Sequence, residues 1–438
     1  MIIKKLKIEK VVFKGLGLGF DEDGAIFVDN SYPGDLLDVE VFHKKGKVRF
    51  AKIKGIVKPS QIRKKASCEV FGICGGCDWL DIDYSEQLKL KQEIVTEIMG
   101  EMGMVSPIIG SEQPTYYRNK SFLPISTKNG KPIIGIFQKR SHIVIAHKDC
   151  KIQPSIYDEI AAEFLNYIEA ANVKIYDEKS GKGNLRHLGF RKSNANDQII
   201  VVVVTKNRKL PFTKQLINNL TRKFPQIIGI VQNINPEKGN VILGKDEKIL
   251  FGQDFLIDKI GEISYHLNYR SFFQINYSTT EKLYNFVKSQ ISKNETIMDA
   301  YSGVGTIGLY LADKAKDVIG IEFVAAAVED AKQNIKLNNL NNCQYYVGLV
   351  EDKIEEVCKK TVPDTIIFDP PRKGLEKKII TVLEHNKIKK IVYVSCNPMT
   401  QKRDLNLLKE IGYKIKKIQP FDMFPQTWHI ENVVILEK

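Results

Sequence analysis

From about residue 265 to the end of the chain, short apolar runs alternate with stretches of helical period. Thr296–Ala300 precedes Thr306–Lys314, Asp317–Glu322 precedes Val324–Leu340, Thr365–Asp369 follows, and Lys390–Ser395 precedes Thr400–Ile411. Units of this kind bury both faces of a mostly parallel sheet, so the spacing predicts a doubly wound α/β domain over 265–438. The last two runs, Tyr413–Ile418 and Ile430–Leu436, have no helix between them and are predicted to pair antiparallel.

Composition narrows the class. Of 438 residues, 43% are hydrophobic and 27% charged, which excludes a largely disordered chain. The longest apolar runs, Ile199–Val204 among them, are too short to span a bilayer, so no membrane partner is expected. The start, Met1-Ile-Ile-Lys-Lys, has no apolar stretch followed by a cleavage site, and no signal peptide is expected. Seven cysteines do not make a disulfide scaffold, which predicts a reducing, cytoplasmic setting. The formal charge is +14, and half of that excess falls within residues 1–65. A basic surface so concentrated points to a polyanion, although charge alone does not separate RNA, DNA and an acidic membrane face.

Residues 1–58 read as short strands separated by Gly-rich turns, Gly15-Leu-Gly-Leu-Gly19 and Tyr32-Pro-Gly-Asp35 among them, which predicts a small closed barrel. The segment resembles a TRAM domain, an OB-like RNA-binding barrel. Its Phe13, Phe20 and Phe27 serve equally well as barrel core or as base-stacking surfaces. Residues 59–264 read as a mixed α+β central domain: three cysteines in an irregular stretch, a helix over Ser85–Met99, and a hairpin from Leu185–Arg191 to Ile199–Thr205. The helix has the option of packing on the C-terminal domain.

Three features fall at predicted strand ends. Asp299-Ala-Tyr-Ser-Gly303-Val-Gly305 follows a strand and opens a helix. Glu322 ends the next strand, where a carboxylate can accept both ribose hydroxyls. Asp369-Pro-Pro-Arg372 ends a third. Doubly wound sheets bind ligands at this rim, and together the three resemble the cofactor site of S-adenosylmethionine-dependent methyltransferases.

A fourth strand ends in Ser395-Cys396-Asn397-Pro398. Pyrimidine C5 is a poor nucleophile; a thiolate adding to C6 makes C5 enolate-like and able to take a methyl group. The C5 proton must then be removed by a base. The tail, Phe421-Asp-Met-Phe-Pro425-Gln-Thr-Trp-His429-Ile-Glu431, offers Asp422, His429 and Glu431, which residue type alone does not rank.

With Phe272-Phe-Gln-Ile-Asn276, these motifs stand in the order of the RNA (uracil-5-)-methyltransferase family, and the chain resembles in particular its TRAM-bearing branch acting on 23S ribosomal RNA. The resemblance implies Cys396 as nucleophile and Glu431 as base, with Gln274, Tyr301, Glu322 and Asp369 binding S-adenosylmethionine. It sets Phe272 and Arg118 near the RNA. Gln426 departs from the His common in the family. Cys68-x5-Cys74-x2-Cys77 with Cys150 reads as structural zinc from spacing alone. The resemblance instead implies a [4Fe-4S] cluster held by these four, while Cys343 and Cys358 have no assigned role. A monomer is expected. The alternatives are the same chemistry on the tRNA T loop, or a non-catalytic RNA-binding factor.

Overall fold

Alternation along the first strands builds the barrel. In the computed structural model, which describes residues 1–438, β1 (Ile2–Val12), β2 (Leu16–Asp21), β3 (Gly24–Val28), β4 (Leu36–Lys45) and β5 (Val48–Lys58) close in the order β1-β2-β3-β5-β4. Alternate residues face inward, and the core is aliphatic, with Ile8, Ile26, Val28, Leu37 and Val39 fully buried. None of the three phenylalanines lies in it. Phe20 is exposed, Phe27 stacks on Phe50 at 5.5 Å, and Phe13 leaves the barrel to meet Trp428 edge-on. The Tyr32–Asp35 turn needs its carboxylate. Buried Asp35 accepts the backbone N–H groups of Tyr32 and Ser60 and both arms of Arg63, tying the barrel to the chain that follows.

Next comes α1 (Tyr84–Met99), then β6 (Lys120–Lys128), β7 (Lys131–Phe137), β8 (Val144–Ala146), α2 (Ser155–Ala170), β9 (Leu185–Lys192), β10 (Ile199–Thr205), α3 (Thr213–Lys223), β11 (Ile227–Ile234) and β12 (Asp246–Gly252). The strands form one sheet ordered β12-β11-β10-β9-β6-β7-β8. The unbroken run in β10 has a physical reason. Ile199, Val201 and Val203 pack under α2 and α3, whereas Ile200, Val202 and Val204 join the core of the C-terminal region. Both faces of that strand are buried, so its first six residues include no polar position. A hairpin of β13 (Phe255–Ile260) and β14 (Ile263–Asn268) leads onward.

The rest comprises α4 (Tyr277–Gln290), β15 (Thr296–Ala300), α5 (Thr306–Leu311), β16 (Asp317–Glu322), α6 (Ala325–Leu337), β17 (Cys343–Val347), α7 (Val350–Lys360), β18 (Thr365–Phe368), α8 (Lys377–His385), β19 (Lys390–Ser395), α9 (Pro398–Glu410), β20 (Lys414–Phe421) and β21 (Glu431–Glu437). Its sheet runs β17-β16-β15-β18-β19-β21-β20, parallel through β19 and antiparallel in the last two steps. The doubly wound expectation holds, and the final strands pair as expected. The alternating runs of the sequence do not include α4, β17, α7 and α8, and α5 ends at Leu311 rather than Lys314. β17 intervenes in sequence between β16 and β18 but lies at the sheet edge, so β16, β15 and β18 remain neighbours. α1 does pack on this region: Leu90, Ile94, Val95 and Ile98 share a core with Leu405, Leu408 and Ile418.

Candidate functional site

The parallel strands β15, β16, β18 and β19 all point their carboxyl ends to one rim. In the order of the sheet, Glu322, Asp299, Asp369 and Cys396 follow in turn along it. β21 runs the other way, so its first residue, Glu431, arrives at the same rim. Ser395 pairs with Asn432, and this antiparallel register brings Cys396 alongside Glu431.

The Gly-rich turn is shaped by carboxylates. Asp299 Oδ2 accepts the Gly308 N–H at 2.8 Å; Glu322 accepts those of Gly303 and Val324 at 2.9 and 2.8 Å. Gly303 and Gly305 take left-handed φ of 55° and 84°. Tyr301 does so as well, at 67°, a conformation that costs a bulky residue about 1–3 kcal/mol and concentrates at functional sites. Its hydroxyl donates to Glu351 at 3.1 Å. Gln274 is buried just before α4. Its carbonyl accepts from Asn119 Nδ2 at 3.0 Å, and its own amide has no protein partner.

Asp299, Glu322 and Glu431 are buried and Asp369 half-buried, and none has a lysine or arginine within 4 Å. Burial pushes the Asp299 and Asp369 carboxyls up to about 7; for Asp299, the neighbouring Asp369 and Glu322 add to the rise. Glu431 is held well above the ordinary carboxylate range by burial and then by Asp369, with Arg372 opposing. A rim of uncompensated carboxylates suits a cationic ligand such as a sulfonium. The Cys396 thiol is pushed up to about 11, chiefly by burial and next by Glu431, with the Arg372 guanidinium beside it pulling down. Arg372 was not singled out from the sequence, although it closes the Asp369-Pro-Pro-Arg372 motif. Phe272 stands exposed.

The rival bases separate clearly. Asp422 is wholly buried, with Oδ1 2.6 Å from Lys91 Nζ on α1, so its carboxylate is already engaged. His429 is driven down to about 4 by burial and by the cations Arg372, Lys91, Arg118 and Lys139. Gln426, in left-handed conformation (φ 68°), exchanges two hydrogen bonds with Gln87 at 2.8 and 2.9 Å, so the departure at this position is filled by an amide pair. A cavity of about 640 Å³ opens on the far side of Asn276, between Tyr116 and Lys192, and contains none of the rim carboxylates.

Cys68, Cys74, Cys77 and Cys150 line one small cavity with Ile136 and His147. All are free thiols, and no three His, Cys, Asp or Glu groups converge closely enough to hold a single ion. A tetrahedral zinc site needs four sulfurs around one centre at ~2.3 Å, and the thiols do not reach that convergence. Four thiolates are also the donor set that a cluster would take. One side chain beside them is left without a partner. His147 has no hydrogen bond on either ring nitrogen, although Nδ1 lies 3.1 Å from Asp158 Oδ1 without the alignment for one. A sulfur-rich group held by the four cysteines would give this imidazole a partner. Burial raises the Cys74 thiol to about 11 and Cys77 well above its usual range, so binding a metal must displace protons.

Fold and rim together define an S-adenosylmethionine-dependent methyltransferase. The tRNA (uracil-5-)-methyltransferase family model matches residues 83–438, and the chain belongs to that family. A protein of Clostridium tetani described as an uncharacterized RNA methyltransferase is 40% identical over 430 residues, covering 97% of this chain and 94% of its own. One of Oceanobacillus iheyensis, described likewise, is 39% identical, with 99% and 96% covered. Among solved structures, the Pyrococcus abyssi tRNA (uracil-54, C5)-methyltransferase in complex with S-adenosyl-L-homocysteine superposes with a TM-score of 0.81 at 27% identity, covering 99% of this chain and all of that one. The chain is thus similar to RNA uracil methyltransferases throughout, barrel included. No helix is long and apolar enough to cross a membrane.

Proposed function

We propose that this enzyme forms 5-methyluridine in 23S ribosomal RNA through a covalent adduct on Cys396. The observation that carries this reading is the strand register bringing the Cys396 thiol beside Glu431 at the cofactor rim. The Cys396 thiol loses its proton to solvent, and its sulfur bonds to uracil C6. The C5 carbon so activated attacks the sulfonium methyl, releasing S-adenosylhomocysteine. Glu431 takes the C5 proton, the C5–C6 double bond re-forms, and the thiolate leaves. Gln274, Tyr301, Glu322 and Asp369 bind the cofactor, Arg372 steadies the thiolate, and Phe272 and Arg118 face the RNA.

The barrel over 1–58 contributes phosphate contacts that offset the cost of extruding a stacked base. Residues 59–264 carry the four-cysteine site and residues 265–438 the chemistry. Cys68, Cys74, Cys77 and Cys150 would hold a [4Fe-4S] cluster, whose part here is to brace the loop, since methyl transfer needs no electron. The enzyme acts as a monomer.

Denaturing gels test the mechanism: Glu431→Gln should retain an RNA-linked band and Cys396→Ala should show none. Full activity in Cys396→Ala would refute it. A second reading, action on tRNA, is favoured by the likeness to the P. abyssi enzyme. Nucleoside mass spectrometry of both RNA pools from a deletion strain decides the substrate: loss from ribosomal RNA supports the first reading, and loss from tRNA alone supports the second.

A further inference from the structure

A cavity of about 250 Å³ lies beside the reaction rim and is built by five separate parts of the chain, Ile136 on one and Ile152 with Gln153 on another. The four-cysteine loop supplies Gly75, Gly76 and Asp78, the start of the central sheet supplies Arg118 and Phe122, and the tail loop supplies Phe424 and His429. It contains neither Cys396 nor Glu431, so whatever enters it is not the reacting base. It nevertheless adjoins the reaction. Arg118 bridges to Asn276 two residues after Gln274, and His429 stands two residues before Glu431.

Its walls suit a planar heterocycle. Phe122, Phe424 and the His429 ring present aromatic surface, and His429 is itself backed by Trp428 at 4.0 Å and Phe424 at 5.8 Å. Gln153 lines the cavity at 1% exposure with neither amide atom partnered. Its amide approaches the Cys150 thiol, yet a thiol cannot satisfy both a donor and an acceptor of the carboxamide. A buried carboxamide left this way is costly unless a ligand completes it, and its paired donor and acceptor match a base edge. The Arg118 side chain makes one hydrogen bond, Nε to the Lys120 carbonyl at 3.2 Å, which leaves the rest of the guanidinium for a phosphate or a second stacking face.

We propose that this cavity binds a second, unreacting nucleobase of the substrate RNA, stacked on Phe122 and His429 and held by its edge on Gln153. The proposal rests on RNA as the substrate and not on the thiolate chemistry. It also gives the four-cysteine loop a part in recognition, because that loop forms one wall.

The test uses the full-length enzyme and a short RNA hairpin carrying the unmodified target uridine, with single abasic nucleotides placed one at a time on either side of it. One flanking position should raise KM about tenfold, the scale of one lost stacking contact. In Gln153→Leu and in Phe122→Ala the same abasic change should cost nothing further, because the pocket has already been lost. Phe122 does not line the four-cysteine cavity, so that variant keeps the test valid if Gln153→Leu loses iron. The proposal is overturned if no flanking abasic site matters, or if variant and abasic penalties multiply in full. Adduct formation with 5-fluorouridine, read in parallel, reports separately on the Cys396 mechanism.

Discussion

The Cys396 thiol gives a quantitative handle on the site. With its pKa near 11, only about one molecule in a thousand carries the thiolate at about pH 8, against roughly a quarter for an ordinary cysteine near 8.5. Alkylation by iodoacetamide in the ligand-free enzyme should therefore run about two hundredfold slower at Cys396 than at an unperturbed exposed thiol. The rate should climb about tenfold per pH unit up to about pH 10, since each unit below the pKa changes the thiolate fraction tenfold. The surroundings fix the direction of two variants. Arg372→Met removes the cation that favours the thiolate and should slow alkylation by about tenfold for each unit of further rise. Glu431→Gln removes a charge that opposes it and should speed alkylation wherever the Glu431 carboxylate is ionised. Peptide mapping by mass spectrometry separates Cys396 from the other six cysteines. A rate that levels off below about pH 9, or a faster reaction in Arg372→Met, would refute this account of the thiol.

Further expectations concern the scaffold. Lys91→Met strands the Asp422 carboxylate in a fully buried place and should cost about 3–5 kcal/mol in urea unfolding. Adding Asp422→Leu should recover most of that; no recovery would mean the pair is not a coupled unit. Gly320→Ala would set a methyl group 2.1 Å from the Tyr345 ring, and overpacking of that kind should cost about 1–3 kcal/mol by the same assay. Protein purified without oxygen should be brown with about four irons per chain, and Cys150→Ser should lose the colour; stoichiometric zinc without iron would contradict the cluster.

The sheet and its rim were legible because strand-end chemistry is local: Asp299, Glu322, Asp369 and Cys396 each close an apolar run that sequence displays directly. The choice among Asp422, His429 and Glu431 was not legible. The partner that engages Asp422 is Lys91, 331 positions earlier, and no window of sequence holds both. Glu431 meets Cys396 only once the antiparallel register of β21 is known. α7 was within reach, since Val350, Ile354, Val357 and Cys358 keep helical period. β17 was not, because only Tyr345 of its five residues is buried. The cavity beside Gln153 is invisible in sequence, being assembled from five separate segments.

Trp428 carries a consequence for how such enzymes diversify. Gly15 of the barrel sits so near it that any side chain there would begin 2.6 Å from the indole's Cβ, and Phe13 meets the ring edge-on at 5.2 Å. The front module is therefore docked on this indole, as well as tied by Asp35 to Arg63, rather than tethered like a bead. Grafting a barrel from a cousin should succeed only where glycine and tryptophan travel together, and an ancestor that shed its barrel would first have had to trade that tryptophan for something that tolerates water.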